Sequence, residues 1–143
     1  MLTLKDFIPL NPHSKNYCLL ATIAVPAGYP AEVAGELERF DFNGYLTDGS
    51  EGSFMVYAEG DSMEAEIFHG DLLIVNRNSQ PALGDKVVAS INGAYTVKIF
   101  KPCKNGLRLV AANEKYKTQT VTRKDDCEIF GVVTHVVRRL KKI

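Results

Sequence analysis

The stretch that decides the fold is Tyr57–Asn76, "YAEGDSMEAEIFHGDLLIVN". It opens in β-prone residues, turns at Gly60-Asp61-Ser62-Met63 and closes in the apolar run Leu72-Leu73-Ile74-Val75. Glycine supplies backbone angles that a tight turn needs, so two strands joined through this turn are expected. Ser62 is then either an ordinary turn hydroxyl or a nucleophile. A serine nucleophile needs a neighbour to take its proton, so the function depends on whether the chain holds one.

Outward from this stretch, short apolar runs alternate with turn residues. Strands are expected over "FMVYA" (54–58), "DLLIVN" (71–76), "KVVASI" (86–91), "AYTVKIF" (94–100), "LRLVAA" (107–112) and "CEIFGVVTHVV" (127–137). Asn92-Gly93 lies between two of them and tolerates the positive φ angles of a type I′ turn, so residues 86–100 should form a hairpin. Helical periodicity is scarce. The reading is a mainly β chain, a compact antiparallel domain over 53–143. Residues 1–27 read as an extended N-terminal arm, with Pro9 and Pro12 in its first half. A linker or loop segment over 28–52 joins the two. Within the first fifty residues, "YCLLATIAV" (17–25) is β-prone, "AEVAGELERF" (31–40) has room for a helical turn or two, and "NGYLTDGSEGS" (43–53) reads as loop.

The chain has 143 residues, 45% of them hydrophobic, which suits one domain with a real core. No apolar run approaches the roughly 18 residues of a membrane span, and the opening lacks the order of a secretory signal. A cytoplasmic protein is expected. Cys18, Cys103 and Cys127 are odd in number and widely spaced, and with His13, His69 and His135 they form no metal-ligand pattern. Neither a disulfide framework, a metal nor any other cofactor is expected. Net charge is zero but uneven: residues 1–71 hold three basic and twelve acidic side chains, and residues 72–143 hold 14 basic and five acidic. Such asymmetry fits either a binding face or two halves that neutralise each other. Whether the basic half touches DNA stays open.

Histidine is the usual proton acceptor for serine, but neither His69 nor His135 comes with an orienting carboxylate at a recognisable spacing. Lysine can serve when it is neutral, which requires an apolar surround. Lys98 lies in a strand between Val97 and Ile99, directly after the Asn-Gly turn, and alternation puts it on one face with Thr96 and Phe100. By itself such a lysine reads either as an edge charge reaching water or as a buried functional amine.

The ordered set "EGDSM", "GDLLIV", "GDKVVA", "GAYTVK" and "IFGVVTHVV" resembles the self-cleaving serine peptidase family of the LexA repressor and the UmuD mutagenesis protein. The resemblance implies that Ser62 is the nucleophile and Lys98 its base, 36 residues apart. It implies a cut at Ala27-Gly28, within "AVPAGYP", upstream of the β domain. Glycine after the cut lets the backbone approach closely, and the small Ala27 suits a shallow pocket. The backbone N–H groups of Asp61 and Ser62 are expected to hold the oxyanion. The Asp61 carboxylate should point away from Lys98, because a nearby negative charge would raise the lysine pKa and spoil the base.

Only 27 residues precede the cut, too few for a helix-turn-helix domain, so the resemblance is to the UmuD branch. That branch implies an SOS-response protein that cleaves itself when stimulated by a RecA–single-stranded DNA filament. The shortened product would be a homodimer serving a Y-family, UmuC-like translesion polymerase. The loop "EAEIFHGD" after the turn and the glycine-rich, acidic segment 40–53 depart from the pattern expected there. The rival expectation is a catalytically silent, β-rich accessory or binding module. The two part on one distance: Ser62 and Lys98 within hydrogen-bond reach, or far apart.

Overall fold

The structure is a computed structural model that describes residues 7–13, 17–21, 27–30, 32 and 35–142. In chain order its elements are β1 (Ile8–Pro9), β2 (Tyr17–Ala21), β3 (Leu37–Asp41), α1 (Phe42–Thr47), β4 (Ser53–Tyr57), β5 (Leu72–Asn76), β6 (Lys86–Ile91), β7 (Ala94–Cys103), β8 (Gly106–Val110), β9 (Gln119–Val121) and β10 (Cys127–Val137). Eight strands form one sheet in the order β1-β4-β5-β10-β6-β7-β8-β9, and β2 pairs with β3 apart from it. Every pairing is antiparallel.

The mainly β reading holds, and the six expected strands are present with their ends shifted by a few residues. The hairpin stands where expected: Ile91 pairs with Ala94, and both Asn92 (φ 49) and Gly93 (φ 87) have the positive φ of the turn. The last strand, β10, enters between β5 and β6 and so becomes central. Its register shifts at two places, between Ile129 and Gly131 and between Val133 and His135. Gly131 allows the first shift, because a Cβ there would lie 2.7 Å from the Asn76 carbonyl oxygen.

At β6, in the middle of the sheet, both faces are covered. Val88 faces a core of Phe7, Val56, Met63, Ile67, Leu73, Val75 and Phe130, while its neighbours Val87 and Ala89 face a second core with Leu109, Val121 and Val132. This is why "VVA" is apolar without alternation: a strand buried on both sides needs apolar residues at successive positions.

Two expectations for the first fifty residues need correction. The segment 31–40 does not end in a helical turn; its last residues are β3, whose register with β2 runs from Tyr17–Asp41 to Ala21–Leu37. The expected loop at 43–53 contains α1. Asp41 caps that helix by accepting from the Gly44 N–H at 3.1 Å, and Asp48 ends it in the left-handed region. A Cβ at Gly44 would sit 2.6 Å from the Asp41 carboxylate, so the glycine that argued for loop is the one that lets the cap close. The described part of the N-terminal arm packs on the β domain. Phe7 is buried, its ring 4.2 Å from that of Phe130, and the Leu10 N–H donates to the Ser53 carbonyl.

Candidate active site

The Ser62 turn is anchored from below and tied from the side. Gly60 takes a φ of 87, which lets the chain leave β4 sharply, and its N–H donates to His69 Nδ1 at 3.0 Å. Met63 and Ile67 are buried in the first core and fix the turn to the sheet. Local bonds from the Glu66 and Ile67 N–H groups to the Met63 carbonyl tighten the loop. Asn113, in the connection after β8, holds the turn at two points. Its backbone N–H donates to the Ser62 carbonyl at 2.9 Å and its side-chain Nδ2 to the Asp61 carbonyl at 3.1 Å. The carbonyls of Asp61 and Ser62 are thus occupied. Their N–H groups have no acceptor among the described residues and remain free to donate.

Lys98 projects from β7 and is buried, 8% exposed, which is rare for a lysine without a carboxylate partner. Its Nζ lies 3.0 Å from Ser62 Oγ, 2.8 Å from Thr96 Oγ1 and 3.1 Å from the Val97 carbonyl oxygen. Burial pushes the Lys98 pKa down, because an ammonium loses its hydration there. The three oxygens suit either charge state. An ammonium donates to all three. A neutral amine donates to Thr96 and Val97 and offers its lone pair to the Ser62 hydroxyl. A cleft of about 230 Å³ opens beside the pair, lined by Gly60, Ser62, Met63, Ile67, Tyr95 and Val97 among others.

The Asp61 carboxylate accepts a hydrogen bond from the Tyr116 hydroxyl and so turns away from Lys98, as expected. That contact raises the Tyr116 pKa, since the phenol proton is held by the carboxylate. His69 is a turn brace, and His135 sits against Thr134 and the Tyr45 ring, so neither serves Ser62. Ala27 and Gly28 lie in an exposed bend, and a Cβ on Gly28 would meet nothing within 4 Å. The Ala27-Gly28 dipeptide expected as the cut site is therefore not seated in the cleft in this conformation. Residues 22–26, which lead into it, fall outside the described residues.

The chain's resemblance can now be tested against known proteins. The Peptidase S24-like family matches over residues 19–134, which includes both Ser62 and Lys98. The chain belongs to the Peptidase S24-like family. Among its relatives is protein ImpA of Salmonella typhimurium, 36% identical over 121 residues, 82% of this chain and 81% of the relative. Protein SamA of Salmonella typhimurium strain LT2 is 35% identical over 124 residues, covering 85% and 86% of the two chains. The LexA repressor of Acetivibrio thermocellus is 41% identical over 88 residues, 61% of this chain but 40% of the repressor. Membership in the family carries a serine-peptidase, self-cleaving kind of activity, and the relatives tie it to the SOS type of protein. No helix of the described residues is long and apolar enough to cross a membrane.

Reading by sequence missed the supports of this family site. Asn113 and Tyr116 are isolated in a polar loop and carry no local pattern. Asp71 opens the expected strand 71–76 and Arg138 follows the expected strand 127–137, and nothing local to either marks the other as its partner. In the fold Asp71 is 2% exposed and accepts both Arg138 Nε and a terminal nitrogen at 2.7 Å, together with the Phe68 N–H at 2.8 Å. The guanidinium also lies over the Phe68 ring at 4.5 Å. This bidentate pair fastens the end of the Ser62 loop to the end of β10.

Proposed function

We propose that this chain cleaves itself between Ala27 and Gly28, with Ser62 as nucleophile and Lys98 as general base. The observation that carries the reading is a buried lysine amine 3.0 Å from a serine hydroxyl, with no carboxylate paired to it among the described residues. In the neutral state the Lys98 lone pair takes the Ser62 proton as Oγ attacks the Ala27 carbonyl carbon. The resulting oxyanion is held by the N–H groups of Asp61 and Ser62, a contribution worth about 3 kcal/mol in comparable sites. Collapse breaks the Ala27–Gly28 bond, and the proton on Lys98 passes to the leaving Gly28 amine. Water, deprotonated by the same lysine, then releases Ala27 from the ester and regenerates Ser62.

The exposed position of Gly28 supports a gated reaction. A tethered substrate has a high effective concentration, so a switch requires that the cut-site segment stay out of the cleft until a signal favours its entry. By its likeness to the UmuD branch, the signal is a RecA–single-stranded DNA filament. The product 28–143 then acts as a cytoplasmic homodimer, an accessory subunit of a Y-family translesion polymerase. The coverage of ImpA and SamA, about four fifths of each chain, supports this short-armed branch over the repressors.

The test is intact mass after incubation at neutral and alkaline pH, beside Ser62→Ala and Lys98→Ala. A new species beginning at Gly28, faster at high pH and absent from both variants, is the expected result. A wild-type chain that stays whole even with an activated RecA filament would overturn the reading and leave a silent accessory module.

A further inference from the structure

The far end of the eight-stranded sheet carries a charge pattern for which self-cleavage has no use. Between Lys101 and Lys124 the sequence holds seven basic residues and one acidic residue, Glu114. All seven basic side chains are exposed. None forms an ion pair among the described residues, whereas Arg77, Lys86 and Arg138 do. Register places Lys101 of β7 directly opposite Arg108 of β8, and Arg108 opposite Thr120 of the edge strand β9. Like charges directly opposite each other across antiparallel strands repel. The fold has no need of them there. Phe100, Leu107, Leu109 and Val121 of the same strands fill the second core, and alternation puts Lys101 and Arg108 on the other side.

A cleft of about 560 Å³ lies between the β7–β8 turn and the end of β9, two register pairs along the same hairpin from Lys101 and Arg108. Lys104 and Arg123 flank it, with Asn105 and Thr122 alongside. Gly106 lines it with bare backbone: its φ is 143, and a Cβ there would stand 2.7 Å from the Val121 carbonyl oxygen. The nearest following carboxylate, Asp125, is used inside its own turn, accepting from the Thr122 N–H and from Asn92 Nδ2. Cations on both walls, with an amide and a hydroxyl between, match a phosphodiester.

We propose that this surface, formed by the Lys101–Arg108 pair and the Lys104–Arg123 cleft, binds the phosphate backbone of a single-stranded nucleic acid. Protein interfaces centre on aromatic or aliphatic anchors. From 101 to 124 the one large exposed aromatic is Tyr116, and its hydroxyl is committed to Asp61. That composition favours nucleic acid over an acidic protein. A cleft of about 560 Å³ is on the scale of one phosphodiester strand. The inference stands on charge and register alone and does not depend on the roles given to Ser62 and Lys98.

The test uses the full chain carrying Ser62→Ala, with intact mass checked before each titration to show that residues 1–143 are all present. Anisotropy of a fluorescent oligothymidine, about 20 nucleotides long, is measured across a salt series. Binding should weaken with salt at a log–log slope near −0.7 for each phosphate neutralised. Lys101→Ala/Arg108→Ala/Arg123→Ala should lower affinity about tenfold or more and flatten the slope by about 2. Lys141→Ala/Lys142→Ala, on the exposed tail, should change neither. Circular dichroism reports whether the triple variant is folded; if it is not, Arg108→Glu alone gives the same readout. No binding at low salt, binding that survives the triple variant, or binding lost with the tail variant each overturns the proposal. So does a surface that takes polyglutamate but not the oligonucleotide, which would assign it to an acidic protein.

Discussion

Replacing Thr96 by valine should speed self-cleavage near neutral pH. Lys98 Nζ has three oxygen neighbours, and Thr96 Oγ1 at 2.8 Å is the shortest of these contacts. The valine keeps the shape of the side chain and removes the acceptor. A hydrogen bond from a charged donor is worth about 1.5–3 kcal/mol, against about 0.5–1.5 for a neutral one. The ammonium therefore loses about 1 kcal/mol more than the amine does, which raises the fraction of neutral lysine about fivefold. The sign follows from the lost acceptor, which favours the ammonium, and the shift adds to the burial that already holds Lys98 below the ordinary lysine range. As pH rises, the neutral fraction and the rate climb together and then level off. Thr96→Val should move that levelling to lower pH and lift the rate below it. The assay is the accumulation of fragment 28–143 in wild type and variant over a pH series. A variant that is slower at neutral pH, with its plateau at an unchanged pH, would refute the reasoning. Thr96 would then orient the amine rather than hold its charge.

Arg138→Ala should destabilise the protein, because it leaves the Asp71 carboxylate, 2% exposed, without its bidentate partner, while solvent at the 39% exposed guanidinium screens the pair and keeps the loss below that of a fully buried one. Urea unfolding measures this. Arg138 holds the Asp71 pKa below the usual carboxylate range. The stability it contributes is therefore complete above about pH 4 and is lost as pH falls further, and the variant should lack that acid dependence. Gly131→Ala should cost about 1–3 kcal/mol, since the added methyl meets backbone at 2.7 Å in the middle of the sheet. A thermal midpoint equal to that of wild type would show that β10 can move aside.

Local chemistry explains what was legible. Alternating apolar runs, glycine turns and Asn92-Gly93 act within a few residues, so they mark strands and a hairpin without knowledge of the rest of the chain. The first fifty residues were misread where a local signal had a distant or unusual use. Gly44 looked like a loop residue, yet it makes room for the Asp41 cap of α1. The segment 37–41 looked helical, yet it pairs with β2 some twenty residues earlier. Phe7 lies in the extended arm, and only the fold shows that its ring packs against Phe130 and Tyr95.

For the site, the sequence by itself determined which residue types were available: one serine on a glycine-led turn, one lysine in an apolar strand, and an Ala-Gly bond upstream. It also determined that Lys98 and Thr96 share a strand face, because side-chain period in a strand is fixed at two. Only the tertiary structure decided that Lys98 is buried and that its amine reaches Ser62 at 3.0 Å across 36 residues. Burial sets the charge state of a lysine, and burial is made by the core around it, not by its neighbours in sequence. The same holds for Asn113, Tyr116 and the Asp71–Arg138 pair. Their roles are contacts across 52 to 67 residues, and contacts of that span exist only once the sheet has placed its last strand between its first two halves.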